Sequence, residues 1–258
     1  VAPVTMVQPR LEEVVAYLDG YLRHAEVPDL PGVVNGLQVE NSGRVTRVAA
    51  AVDASLRTVA EAVRRGCDLL LVHHGLFWGG VQPLAGRHYR RIRPLVVADV
   101  AVYSSHLPLD VHPEVGNNVQ LCRAVGIEPE GRFGGYQGSD LGYWGTVELE
   151  RAALAARLAE VLGGRVHVMP YGPELVRRVG VITGGAGSMI ADAIAAGLDA
   201  YITGEGAHHT HFDAEEGGIN VFYGGHYLTE TWGVKALAAH VSARFGLPWE
   251  FIDQPTGL

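Results

Sequence analysis

An internal repeat constrains this chain more than any other feature. Val48–Gly75 (VAAAVDASLRTVAEAVRRGCDLLLVHHG) aligns without a gap on Val179–Gly206 (VGVITGGAGSMIADAIAAGLDAYITGEG). Val48 meets Val179, Gly66 meets Gly197, Asp68 meets Asp199 and Gly75 meets Gly206. Each copy reads as an apolar strand, a turn, an alanine-rich helix ending at a glycine that suits a left-handed cap, and a second apolar strand. That order is a βαβ unit, which implies parallel strands joined by a helical crossover. The match resumes downstream, where VAVYSSHLPLD ends at Asp110 and INVFYGGHYLTE ends at Glu230. His106 then meets His226, and both copies carry a strand followed by His-x-x-x-acid. The expected fold is α/β, with two similar βαβ-containing halves related by a pseudo-twofold. The halves are placed at residues 1–130 and 131–258, as a compact pair.

Other elements fill in around this frame. Val7–Glu26 carries Leu11, Val14, Val15, Leu18 and Leu22 at helical spacing, so it predicts an amphipathic surface helix. Tyr143–Glu150 reads as a strand, Arg151–Leu162 as a helix and Arg165–Met169 as a strand. Thr229–Phe245 reads as a helix and Trp249–Ile252 as a short last strand. The glycine-rich stretch Gly131–Gly142 is the expected connection between the halves.

Hydrophobic residues make up 48% and charged residues 19% of 258 positions, which suits a globular chain able to bury a substantial core. The formal net charge of −8 argues against general nucleic-acid or anionic-membrane binding, although a local basic patch escapes a whole-chain count. Cys67 and Cys122 both sit in apolar stretches and read as buried thiols. No apolar run approaches the roughly 20 residues that span a bilayer. The opening VAPVTMVQPR does not have the layout of a signal peptide, and Met6 is a candidate start. The expected location is cytoplasmic.

The strongest local chemistry is LLLVHHG, residues 69–75. Open α/β sheets present functional side chains at the carboxyl ends of their strands, and His73 and His74 stand at such an end. His226 and Glu230 follow a strand and two glycines, and a four-residue spacing puts both on one helical face. Asp110 occupies the repeat position of Glu230. If the strand ends of both halves face a common cleft, His73, His74, Asp110, His226 and Glu230 form a nitrogen–oxygen ligand set without thiolate. Such a set suits divalent transition metals better than Ca or Mg, and five ligands suit two ions better than one. His106 and Glu205, the repeat partners of His226 and His74, are candidates for orienting ligands, for proton transfer, or for bonding a turn. GGAG at 184–187 reads as a turn, with an anion-binding nest as the alternative. His208, His209 and His211 either touch the site or are solvated.

Taken together, NGLQVE (35–40), VHHGLFW (72–78), SSHLPLD (104–110), GNN (116–118), TGE (203–205) and GGHYLTE (224–230) resemble the NIF3-like dinuclear metal-centre family, also called GTP cyclohydrolase 1 type 2 homologues. The motifs span most of the chain, in the family's order. The resemblance implies a NIF3-like α/β fold with a metal cleft, and it implies the same five ligands. It also implies a two-metal site in each subunit and a homohexameric ring with metal sites facing its interior; the ions expected there are divalent transition metals, Mn, Zn or Fe. Longer members carry an inserted central domain for which the stretch between the halves here has no room. The implied activity is metal-dependent hydrolysis of a small molecule, GTP or similar; Glu230 is the candidate bridge between the ions. The rival expectation is a non-enzymatic metal-binding or scaffold ring. Nucleic-acid handling inside the ring is a third, against which the net charge counts.

Overall fold

The computed structural model describes residues 8–80 and 82–258. The expectations about Met6, the amino-terminal signal and Val7 as a helix start fall on residues 1–7, outside the described residues. The chain forms α1 (Leu11–Tyr21), β1 (Gly36–Val39), β2 (Val48–Asp53), α2 (Leu56–Arg64), β3 (Leu69–His74), α3 (Gly86–Val97), β4 (Ala101–Ser104) and α4 (Leu107–Asp110). There follow α5 (Asn117–Ala124), β5 (Gly131–Tyr136), β6 (Ser139–Glu150), α6 (Arg151–Leu162), β7 (His167–Pro170), β8 (Leu175–Val181), α7 (Ile190–Ala195) and β9 (Ala200–Thr203). The last elements are α8 (Thr210–Gly217), β10 (Asn220–Tyr223), α9 (His226–Thr229), α10 (Thr231–Phe245) and β11 (Trp249–Phe251).

These elements make a mixed α/β fold with two sheets. The first runs β1-β4-β3-β2-β11, with β2, β3 and β4 parallel, β11 parallel to β2, and β1 antiparallel on β4. The second runs β5-β6-β8-β9-β10-β7, with β8, β9 and β10 parallel, β7 antiparallel on β10, and β6 antiparallel on β8. From the β1 edge and from the β7 edge, the two sheets therefore repeat one order: an antiparallel strand, then the parallel trio taken backwards. The βαβ reading of both copies matches this pairing. The matched aspartates do one job in each copy. Asp68 accepts the backbone N–H groups of Thr46 and Arg47 at 2.8 and 3.0 Å, and Asp199 accepts those of Arg177 and Arg178 at 2.8 and 2.9 Å.

Strand β3 is buried on both faces, with Leu69, Leu70 and Leu71 fully inside, as expected of a central parallel strand covered by helices. Around it lies a core that includes Ala49, Val59, Leu95, Val102 and Ile252, while Cys67 joins the same cluster. The second sheet has its own core, including Leu121, Leu154, Leu158, Val179 and Phe222, and holds Cys122. Both cysteines are buried free thiols. No helix among the described residues is long and apolar enough to cross a membrane.

Several boundaries differ from the sequence reading. Residues up to Pro108 with Val234–Gln254 form one unit, and Leu109–Gly233 with Pro255–Leu258 the other, so the division does not fall between 130 and 131. The reason is pairing: β5 belongs to the second sheet, and α5 packs on that sheet, whereas β11 returns to lie parallel on β2. Helix α1 stops at Tyr21, well short of Glu26, because Leu22 caps it and Arg23 takes φ 56°. The expected helix from Thr229 divides at Glu230, whose φ and ψ are −104° and 5°.

The glycine-rich stretch is not a connection. Gly131–Gly142 is the first strand and start of the second in a β-hairpin, closed by Gln137 and Gly138 at φ 47° and 86° between the paired Tyr136 and Ser139. Two central residues at positive φ make the turn whose twist matches paired strands. Two of the other glycines serve close packing: a Cβ on Gly131 would lie 2.6 Å from Trp144, and one on Gly142 would lie 2.5 Å from Phe133. Around Gly138 there is open space, so the cost of a side chain there is backbone strain alone. We expect Gly138→Ala to lower stability by roughly 1–2 kcal/mol and Gly138→Asn by less, read as urea midpoints at unchanged m-value.

Candidate metal centre

In the first unit, β3 delivers His73 and His74 at its carboxyl end, and the segment after β4 delivers His106. The three rings offer ligand atoms that all lie within 4.8 Å of one another. Each imidazole is held through Nδ1. His73 Nδ1 lies 3.0 Å from the Ser105 carbonyl oxygen, His74 Nδ1 lies 2.9 Å from Asp53 Oδ1, and His106 Nδ1 lies 2.6 Å from Asp29 Oδ1. An acceptor at Nδ1 holds the proton there and leaves the ligand lone pair on Nε2, the arrangement by which proteins orient metal-binding histidines. Trp78 closes the cluster, with its ring 5.0 Å from His106 and 5.5 Å from His74.

Asp29 is the hub beneath His106. Besides that ring it accepts the N–H of Leu30 at 2.7 Å, the side-chain amide of Asn35 at 2.8 Å and the N–H of Leu107 at 3.0 Å. Burial alone would raise its pKa, but the hydrogen bond and charge of His106, with Asn35 and the Leu30 N–H, hold it below the usual carboxylate range. Asn35 Oδ1 in turn accepts the His106 N–H at 2.8 Å.

In the second unit, α9 begins at His226 and ends beside Glu230, so the four-residue spacing brings His226 Nε2 to 3.2 Å from Glu230 Oε2. His226 Nδ1 is held by Glu205 Oε1 at 2.7 Å. Burial pulls this imidazole toward the neutral form, yet Glu230 and Glu205 outweigh it and raise its pKa to about 9. Asp110 is buried, and its Oδ1 accepts the Asn117 amide at 2.8 Å and the Thr183 hydroxyl at 3.4 Å. The residue after Thr183 is Gly184, at φ 73°, where a Cβ would fall 2.0 Å from Glu230 Oε1. Only a residue without a side chain leaves room for that carboxylate.

The first unit thus brings His73, His74 and His106 together, and the second brings His226, Glu230 and Glu205 together, with Asp110 held at the same Thr183–Gly184 turn. Imidazoles tethered through Nδ1 and buried carboxylates, without a thiolate, fit divalent transition metals. GGAG proves to be the turn that admits Glu230. Of the three histidines after β9, His211 pairs its Nε2 with the Tyr171 hydroxyl at 2.8 Å, while His208 and His209 are exposed. The apolar segment after His74 is divided: Leu76 is buried, Phe77 packs on the core and Trp78 faces the histidines. Sequence reasoning missed Asp29, Asp53 and Thr183. Asn35 and Asn117 lay inside quoted motifs without a role.

A two-sheet α/β protein with histidine–carboxylate clusters at its strand ends describes a class, and the comparisons with known proteins make it specific. The chain belongs to the Duf34/NIF3 (NGG1p interacting factor 3) family, which it matches over residues 9–256. A protein of Deinococcus radiodurans named GTP cyclohydrolase 1 type 2 homolog is 45% identical over 96% of this chain and 94% of its own length. One of the same name from Archaeoglobus fulgidus is 43% identical over 96% and 99%. Among solved structures, protein ybgI, described as of unknown function, superposes with a TM-score of 0.90 at 36% identity, covering 96% of this chain and 100% of its own. TTHA1606 from Thermus thermophilus gives 0.86 at 41% identity, with the same coverage.

Asp29→Ala strands four donors, His106 among them. We expect a loss of roughly 2–3 kcal/mol at neutral pH, since hydrogen bonds to a charged group are the stronger kind. Because the folded pKa of Asp29 is depressed, its contribution is complete above the ordinary aspartate pKa near ~4 and fades as pH falls through the lower folded value. Urea unfolding of both proteins across acid pH should show the gap closing only there.

Proposed function

We propose that His73, His74, Asp110, His226 and Glu230 together hold two divalent transition-metal ions, Mn, Zn or Fe, and that the protein is a metal-dependent hydrolase. The observation that carries this reading is the shared tethering of the three proposed histidine ligands, His73, His74 and His226, each bonded through Nδ1 to a carboxylate or carbonyl oxygen. A structural histidine needs no such uniform arrangement, whereas a ligand does. The names of the relatives supply the first substrate to try, GTP, with other small cyclic amides and phosphate esters next. Family resemblance further supports a homohexameric ring, and the buried free thiols accord with a cytoplasmic setting.

Divalent ions bound there would polarise the scissile bond and lower the pKa of an attacking water. The chain's own residues do the rest. Ser105, Asp53 and Glu205 orient the rings of His73, His74 and His226. Asn117 and Thr183 hold the Asp110 carboxylate, and Gly184 makes space for the carboxylate of Glu230, which would help hold the ions. His106, tethered by Asp29 and covered by Trp78, is the candidate for moving a proton to or from the substrate. Glu205 is then a positioning residue for His226, with proton transfer as its second candidate role.

Elemental analysis of gently purified protein tests the site. Wild type should retain up to two ions per chain, and Glu230→Gln or His73→Ala should retain one or none with an unchanged far-ultraviolet spectrum. Unchanged metal content in both variants sinks the ligand set. Hydrolysis should vanish on chelation and return with Mn, Zn or Fe. Fully metallated protein that turns over no substrate faster than Glu230→Gln favours the scaffold. Light scattering should give the mass of six chains, and a monomer across micromolar concentrations refutes the ring.

A further inference from the structure

Helix α3 (GRHYRRIRPLVV) is anomalous in an acidic chain: it carries Arg87, Arg90, Arg91 and Arg93 and no Asp or Glu. Among the described residues none of the four has an ion-pair partner, whereas Arg47, Arg65 and Arg151 each pair with a glutamate. Where α3 lies follows from topology. It connects the parallel strands β3 and β4, so it must run back along the sheet, and its first turns lie at the strand ends that bear His73 and His74.

The four arginines do not share one face. His88 and Leu95 are the buried residues of α3 and fix its inward side. Arg87 and Arg91, one turn apart, are neighbours on one flank, with Arg87 exposed and Arg91 half-buried. Arg90 and Arg93 are exposed and share the outward side with Val97, while Tyr89 and Val96 lie on the other flank. Arg91 is the telling member. Its Nε is buried and has no hydrogen-bond partner among the described residues. Burial and the charge of Arg87 both pull its pKa down, and the charge that offsets them is Asp53, the carboxylate holding His74. The amino end of α3 adds positive character of its own, with no side-chain cap and no acid in its first turn.

A half-buried guanidinium whose Nε has no acceptor, with a second guanidinium one turn away, is a place where a bound anion is favoured. Their planar forks match phosphate oxygens better than any other biological anion except carboxylate. We propose that Arg87 and Arg91 bind a phosphate group of the molecule processed at the neighbouring histidines, so that the substrate is a phosphorylated small molecule, a nucleotide or a free polyphosphate. This rests on the metal-centre reading for the place of reaction, and on α3 alone for the phosphate. The whole-chain charge of −8 conceals this patch.

The test is calorimetric titration of full-length, metal-loaded protein with inorganic pyrophosphate, which asks the question without a base, at fixed ionic strength. Arg87→Gln/Arg91→Gln should weaken binding about tenfold or more while metal content stays at the wild-type value. Arg91→Lys, which keeps the charge and protects the fold, should recover part of the loss. Guanosine against GMP identifies the source: GMP binding more tightly in wild type, and no more tightly in the double variant, marks a nucleotide; equal binding of the two beside retained pyrophosphate affinity marks a free polyphosphate. Undetectable pyrophosphate binding by wild type, or an undiminished affinity in the double variant, overturns the proposal. An equal loss in Arg90→Gln/Arg93→Gln also overturns it, and assigns the helix to a polyanionic macromolecular partner. The metal reading fails separately, through undiminished metal in Glu230→Gln.

Discussion

Parallel strands cannot be joined by tight turns, so each connection must climb back over the sheet through a helix, and every strand of a parallel trio ends at the same rim. That constraint places most of the candidate chemistry. In the first unit the rim collects His73 and His74 from β3, Asp53 from β2 and His106 just past β4. In the second it collects Thr183 and Gly184 past β8, Glu205 past β9 and His226 past β10. The parallel strands are buried along most of their length, so side chains at their carboxyl ends start from positions set by a packed core.

Within this shared frame the two copies exchange roles. Asp53 and Gly184 occupy equivalent repeat positions, as do His74 and Glu205. In the first copy the pair is a carboxylate bracing an imidazole, Asp53 on His74. In the second, the brace position is Gly184 and admits Glu230, while the position of the braced imidazole carries Glu205, itself the brace for His226. The number of tethered imidazoles thus differs between the units although the backbone pattern does not.

The fold was legible because a gapless repeat carries its own secondary structure: a period-3.6 segment between two apolar runs reads as βαβ wherever it occurs. The candidate ligands were legible for the same reason, since His226, Glu230 and Asp110 stand at matched positions. What the sequence hid is what depends on distant contact. Asp29 is far from His106 in the chain, and nothing around it announces a partner. Asp53 reads as the polar end of a strand until pairing with β3 sets it beside His74. The hairpin at Gly131–Gly142 was misread because glycine serves both loose connections and close packing, and only Trp144 and Phe133 tell them apart. The unit division was hidden because β11 joins a sheet begun about two hundred residues earlier, a pairing no local pattern records.

Of the four tethers, one is unlike the others. Asp29, Asp53 and Glu205 are side chains that a single codon change can delete, whereas the acceptor for His73 is the main-chain oxygen of Ser105. Any residue at 105 supplies that oxygen as long as the backbone keeps its course. The four histidines are therefore unequal under random mutation: three orientations can be lost by replacing a residue elsewhere in the chain, while that of His73 is written into the path of the polypeptide itself.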